Sequence, residues 1–108
     1  MATNQDSADG MDDVRKMIAL IQKLCTQVEK ATDQITLIKE ELRVANVRLR
    51  RAQDQRRMAQ IISYELQMQT IQGVYCMYIE YVERKMAVVR RIKIALRQQL
   101  LQDEDNLS

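Results

Sequence analysis

Apolar residues fill every first and fourth position of a heptad repeat that runs unbroken from Val14 to Ala52. The first positions are Val14, Ile21, Val28, Ile35, Leu42 and Leu49; the fourth are Met17, Leu24, Ala31, Ile38, Ala45 and Ala52. On an α-helix this spacing collects all of these side chains on one stripe, whereas the period of two in a strand would scatter them over both faces. The stripe therefore demands a helix that packs on another helix. Ala31, Ala45, Ala52 and Ala59 would let the facing backbone come close, so the tightest contacts are expected on this arm.

A chain of 108 residues forms one domain at most, and a helix or hairpin of this length has much surface for its mass. A partner helix is expected to complete its core. Proline is absent and the glycines are Gly10 and Gly73, which leaves few breaks for a helix. There is no Phe or Trp, so the core is built from Met, Leu, Ile and Val with Tyr64, Tyr75, Tyr78 and Tyr81 as its aromatics. The chain reads as all-α.

Histidine is absent, which removes the commonest general acid and base and the commonest zinc ligand. Cys25 and Cys76 lie far apart and lack the spacing of a zinc site or a CxxC redox motif. No glycine-rich phosphate loop and no nucleophile with a nearby base is present. Glu40-Glu41 and Asp12-Asp13 are sequence neighbours that point apart on a helix. The expectation is a protein that is not an enzyme and needs no cofactor or metal. With no secretory signal and no long apolar run, it is expected to be intracellular and cytoplasmic, with the nucleus left open and no transmembrane segment.

The first heptad register cannot continue past Ala59, because it would bring Ser63, Thr70, Gly73, Glu80, Arg84 and Arg91 onto the seam. A second register starts at Ile61. It has Ile61, Met68, Tyr75, Val82, Val89 and Leu96 at first positions and Tyr64, Ile71, Tyr78 and Ile92 at fourth, with Lys85 and Gln99 out of place. The offset fits neither a stutter nor a stammer, so the chain turns or bends between. The polar run Gln53-Asp54-Gln55-Arg56-Arg57 divides the helical region into arms of nearly equal length, roughly 65 to 70 Å each.

The expected organisation is a polar, acidic, disordered tail over 1–11, a helical hairpin over 12–102 with its hinge near 53–58, and a frayed acidic tail over 103–108. Asp9 or Asp12 would cap the first helix. The hinge segment holds no Gly, Pro or Asn, so a turn at Gly73 and one continuous kinked helix are the alternatives. Residues 74–82 are rich in strand formers, yet no second strand exists to pair with them, and they are read as helix.

Leu37, Val44 and Val47 lie behind the first stripe, and Val74, Met77, Ile79, Tyr81, Val88 and Ile94 behind the second. Helices apolar on more than one side are covered on more than one side. The expected fold is a long antiparallel helical hairpin, coiled-coil-like, that dimerises into a four-helix bundle through the 14–52 seam.

Charge falls in blocks. Arg43, Arg48, Arg50, Arg51, Arg56 and Arg57 form an arginine block interrupted by one acid, Asp54. Arg43, Arg50 and Arg57 are seven apart and would share one helix edge. Arginine favours bidentate contacts with phosphate or carboxylate, so these residues are the candidate contacts for an anion or nucleic acid. The plainer reading is a solvated helix face, because the net charge of the whole chain is only +2. A second block, Arg84 to Arg97, contains no acid and flanks an apolar face. It reads first as the last helix of a bundle, and less strongly as a peripheral membrane contact over 84–101.

These features point to a non-enzymatic oligomerisation and scaffold protein. Its partners would be a second copy of itself and another protein. The alternative is a helical dimer that binds double-stranded RNA through its arginine stripe, as some viral RNA-shielding proteins do.

Overall fold

The computed structural model describes the backbone of residues 2–107 and the side chains of residues 10–105. Helix α1 spans Ala2–Asp54 and helix α2 spans Met58–Leu107. The two pack as a hairpin, which makes the fold all-α. Gly73 and the strand-prone run after it lie inside α2, so the turn at Gly73 and the single continuous helix are both ruled out. Helix α1 begins ahead of the expected start near residue 12. It takes in Gly10, which precedes Val14 by four residues and extends the same stripe. The side chains of residues 1–9, within the expected N-terminal tail, lie outside the described residues, as do those of 106–108.

The chain divides into two compact units. One consists of Glu29–Glu83; the other joins the residues up to Val28 with those from Arg84 onward. In the Glu29–Glu83 unit, α1 supplies small and branched side chains that are buried: Ala31, Ile35, Ile38, Ala45 and Ala52. Helix α2 supplies bulky ones that are half-buried: Tyr64, Met68, Ile71, Tyr75 and Tyr78. Small residues on one helix against large ones on the other allow a close interaxial approach without voids.

In the other unit, Val14 and Leu24 of α1 are buried, and so is Val89 of α2, the most deeply buried large side chain at 1% exposure. Lys85 and Gln99, the two polar residues at seam positions of the second register, are half-buried there. A Cβ on Gly10 would lie 3.8 Å from Gln99 Nε2, so the two helices come within van der Waals reach at this point.

The connection between the helices is residues 55–57. Its hydrogen bonds explain how the chain reverses without Gly, Pro or Asn. The Arg57 N–H donates to the Ala52 carbonyl at 3.0 Å, and the Arg56 N–H donates to the Gln53 carbonyl at 3.1 Å. This pair of bonds is the Schellman pattern that closes a helix C-terminus, and it needs a left-handed residue at the position held here by Arg56. Arg56 has φ 55°, the left-handed conformation usually left to glycine. The Ile61 N–H then donates to the Arg57 carbonyl at 3.0 Å, opening α2 with Arg57 as its N-cap.

Candidate functional site

All of the seam residues of α1 are sheltered within the single chain. Val14, Leu24, Ala31, Ile35, Ile38, Ala45 and Ala52 are buried, and Met17, Ile21, Val28, Leu42 and Leu49 are half-buried. The stripe is thus covered by α2 of the same molecule. Every first and fourth position of the second register from Ile61 to Gln99 is likewise buried or half-buried. The surface left for other molecules is what lies off these two stripes.

The six arginines of the first block are all exposed. They do not form the single helical edge expected of Arg43, Arg50 and Arg57. Helix α1 ends at Asp54 and the left-handed Arg56 redirects the chain, so Arg57 stands outside α1 altogether. Arg43 is engaged with Glu40, one turn back. Its Nε donates to Oε1 at 3.2 Å and to Oε2 at 3.0 Å, and its Nη2 donates to Oε1 at 2.6 Å. The Arg43 hydrogen bonds hold the Glu40 carboxyl below the usual carboxylate range, with the guanidinium charge acting in the same direction and desolvation opposing it. The same hydrogen bonds raise Arg43. Arg48, Arg50, Arg51, Arg56 and Arg57 make no ion pair with a described residue and surround the turn, while Asp54 is the one acid among them. Arg51 in the last turn of α1 also complements the negative end of the helix dipole.

The apolar residues expected behind the stripes are mostly exposed. Leu37, Val47, Val74, Met77, Val88 and Ile94 are open to solvent, with Met77 at 69% and Ile94 at 60%, while Val44, Ile79 and Tyr81 are half-buried. Periodicity alone did not single out a further set on α2: Met58, Ile62 and Leu66, spaced four apart and all exposed. Their spacing was the available signal, since residues four apart form one ridge on a helix surface.

Open grooves lie along α2. One of about 450 Å³ is lined by Arg90, Lys93, Ile94, Arg97, Gln98 and Leu101, and a neighbouring one of about 250 Å³ extends toward Leu100 and Glu104. The hydroxyls of Thr26, Thr36 and Thr70 donate to the carbonyl four residues back in their own helix, which removes them as donors to a partner. Cys25 is half-buried and Cys76 exposed, and both are free thiols. Among the described residues no acidic, cysteine or histidine cluster could hold a metal ion, and no helix is long and apolar enough to cross a membrane. No protein-family model matches the chain, and no curated protein and no solved structure is significantly similar to it.

Proposed function

We infer that this chain is a non-enzymatic helical assembly protein whose hairpins associate with one another, in the simplest case as a homodimer that forms a four-helix bundle, and so present a scaffold to another protein. One observation carries the reading. The heptad stripe is already covered inside the chain, yet large apolar side chains such as Met58, Leu66, Met77 and Ile94 remain exposed on the helices. Exposed apolar side chains at this density on a two-helix framework mark association surfaces, because burying them removes apolar area from water at about 25 cal/mol per Å². Light scattering on the purified chain at micromolar concentration is expected to give a mass above that of the monomer. A monomeric mass up to about 100 μM, weaker than any interface of ordinary size, would refute the reading.

A second reading is favoured by the turn. Arg48, Arg50 and Arg51 near the end of α1 and Arg56 and Arg57 in the turn are exposed and make no ion pair with a described residue, a cationic end suited to phosphate. On this reading the assembly binds double-stranded RNA by its backbone. The retardation of double-stranded RNA would then fall steeply between low and moderate salt and be lost on Arg50→Glu. No retardation at low salt eliminates it.

A further inference from the structure

We propose that the turn between the helices is where this protein holds the phosphodiester backbone of RNA, single- and double-stranded alike, with Arg56 and Arg57 as the main contacts. This contact rests on the RNA reading and changes its mode from shape to charge. A duplex read by shape needs contacts spaced over successive grooves. The helix edge that would have supplied them is lost, because Arg43 is engaged with Glu40 and Arg57 stands outside α1. What remains is Arg48, Arg50 and Arg51 in the last two turns of α1, followed by Arg56 and Arg57 in the turn. All five are exposed and make no ion pair with a described residue. Arginines confined to so short a stretch reach a short run of phosphates, and a contact of that size does not depend on the helical form of the RNA.

Charge within the Glu29–Glu83 unit is concentrated at this point. Residues 48–57 carry five arginines and Asp54, a net charge of +4, whereas the rest of the unit carries seven acids against three cations, a net charge of −4. A polyanion is therefore drawn to the turn and repelled by the remainder of the unit. The choice of residues at the turn points the same way. Arg56 holds φ 55°, which glycine adopts without strain, and Arg57 stands at the N-cap of α2, where a side chain that accepts a hydrogen bond is favoured. Both positions forgo stability to carry a guanidinium, and such departures from local preference are characteristic of functional sites. The second basic block carries no such sign: Arg84, Arg90, Arg91 and Arg97 lie inside α2, where arginine is among the good helix formers.

The test measures, over a range of salt, the retardation of an RNA duplex and of an unstructured uridine strand with the same number of phosphates. It compares the full chain with its Arg56→Gly, Arg57→Gln, Arg43→Gln and Arg91→Gln variants. All four positions are exposed, so helix content by circular dichroism should be unchanged. Both RNAs are expected to be retarded, with affinities within about tenfold of each other. Arg56→Gly and Arg57→Gln should each weaken binding at least about threefold and flatten the slope of log affinity against log salt by about 1 for each turn engaged. Arg43→Gln and Arg91→Gln should leave the slope unchanged. Retardation of the duplex alone, or a slope that responds to Arg43→Gln or Arg91→Gln as strongly as to Arg56→Gly, would overturn contact at the turn while leaving the RNA reading standing. So would a slope indifferent to both Arg56→Gly and Arg57→Gln. No retardation of the duplex at low salt would remove the RNA reading and this contact together.

Discussion

The backbone N–H of Arg57 donates to the carbonyl of Ala52 across 3.0 Å, which ties the reversal of the chain to the end of the α1 stripe, where Ala52 is only 2% exposed. The bond can form only because Arg56 between them adopts φ 55°. Helix termination, the turn and the last layer of the seam are therefore one local structure, and the arginines nearest to it are held in place by backbone geometry.

Arg56 is the first residue to change. A non-glycine residue in the left-handed region is disfavoured by roughly 1 to 2 kcal/mol, and glycine's greater freedom in the unfolded chain offsets part of this gain. Arg56→Gly is expected to raise the unfolding free energy by about 1 kcal/mol in urea titration. A loss of stability would show that the arginine side chain contributes more than its backbone strain removes.

Arg57 caps α2 with a side chain that cannot accept a hydrogen bond. Arg57→Asp supplies an acceptor for the first N–H groups of α2 and a negative charge at the positive end of its dipole. Together these are worth about 1 kcal/mol. The melting temperature should rise for Arg57→Asp and not for Arg57→Ala.

Core and surface positions should respond in opposite ways. Ala45 is buried on the seam, so Ala45→Leu forces the helices apart and is expected to destabilise by roughly 1 to 3 kcal/mol. Val89→Ala empties the most buried large side chain and should cost about 2 kcal/mol. Leu37, off the seam and 58% exposed, should tolerate alanine within about 0.5 kcal/mol. Similar losses at Ala45 and Leu37 in denaturant titration would contradict the stripe as the core.

Gly73 lies within α2, is exposed, and has nothing within 4 Å of the place a Cβ would occupy. Gly73→Ala is expected to stabilise the helix by about 1 kcal/mol through backbone entropy alone. A decrease would mean that the open space beside Gly73 is filled in solution.

The Glu40 carboxyl is depressed when folded, chiefly by its hydrogen bonds with Arg43. A depressed acid contributes stability above its unfolded pKa, and this contribution disappears as pH falls through the folded value. Carboxyl titration by NMR should therefore find Glu40 titrating lower than in an Arg43→Gln variant, with the difference shrinking as salt is added. Identical titration in the two proteins would show that the pair does not persist in solution.

The stripes were legible in the sequence because burial on a helix repeats with the helix. From Val14 to Ala52, and again from Ile61 to Leu96, the apolar pattern names the sheltered residues, and it places even Lys85 and Gln99 on the seam as the half-buried exceptions. The turn was legible only as a change of register between Ala59 and Ile61. Its mechanism was hidden because an arginine carries no mark of a left-handed φ. The ridge at Met58, Ile62 and Leu66 was hidden for a related reason: the heptad pattern finds the faces a helix buries, and this one belongs to neither stripe.

By itself the amino-acid order of this protein determined two amphipathic helical stretches, their registers and a break between them, since each follows from spacing along one chain; that the break is a reversal at 55–57 was decided by the structure. Tertiary structure decided which surface covers the α1 stripe. Periodicity tells which side chains share a face but not whether the facing helix comes from the same molecule or another. Here α2 supplies it, with its bulky residues set against the alanines of α1 and the chain closed by the Arg57–Ala52 bond. That leaves association to the exposed rows on the outer faces of the helices.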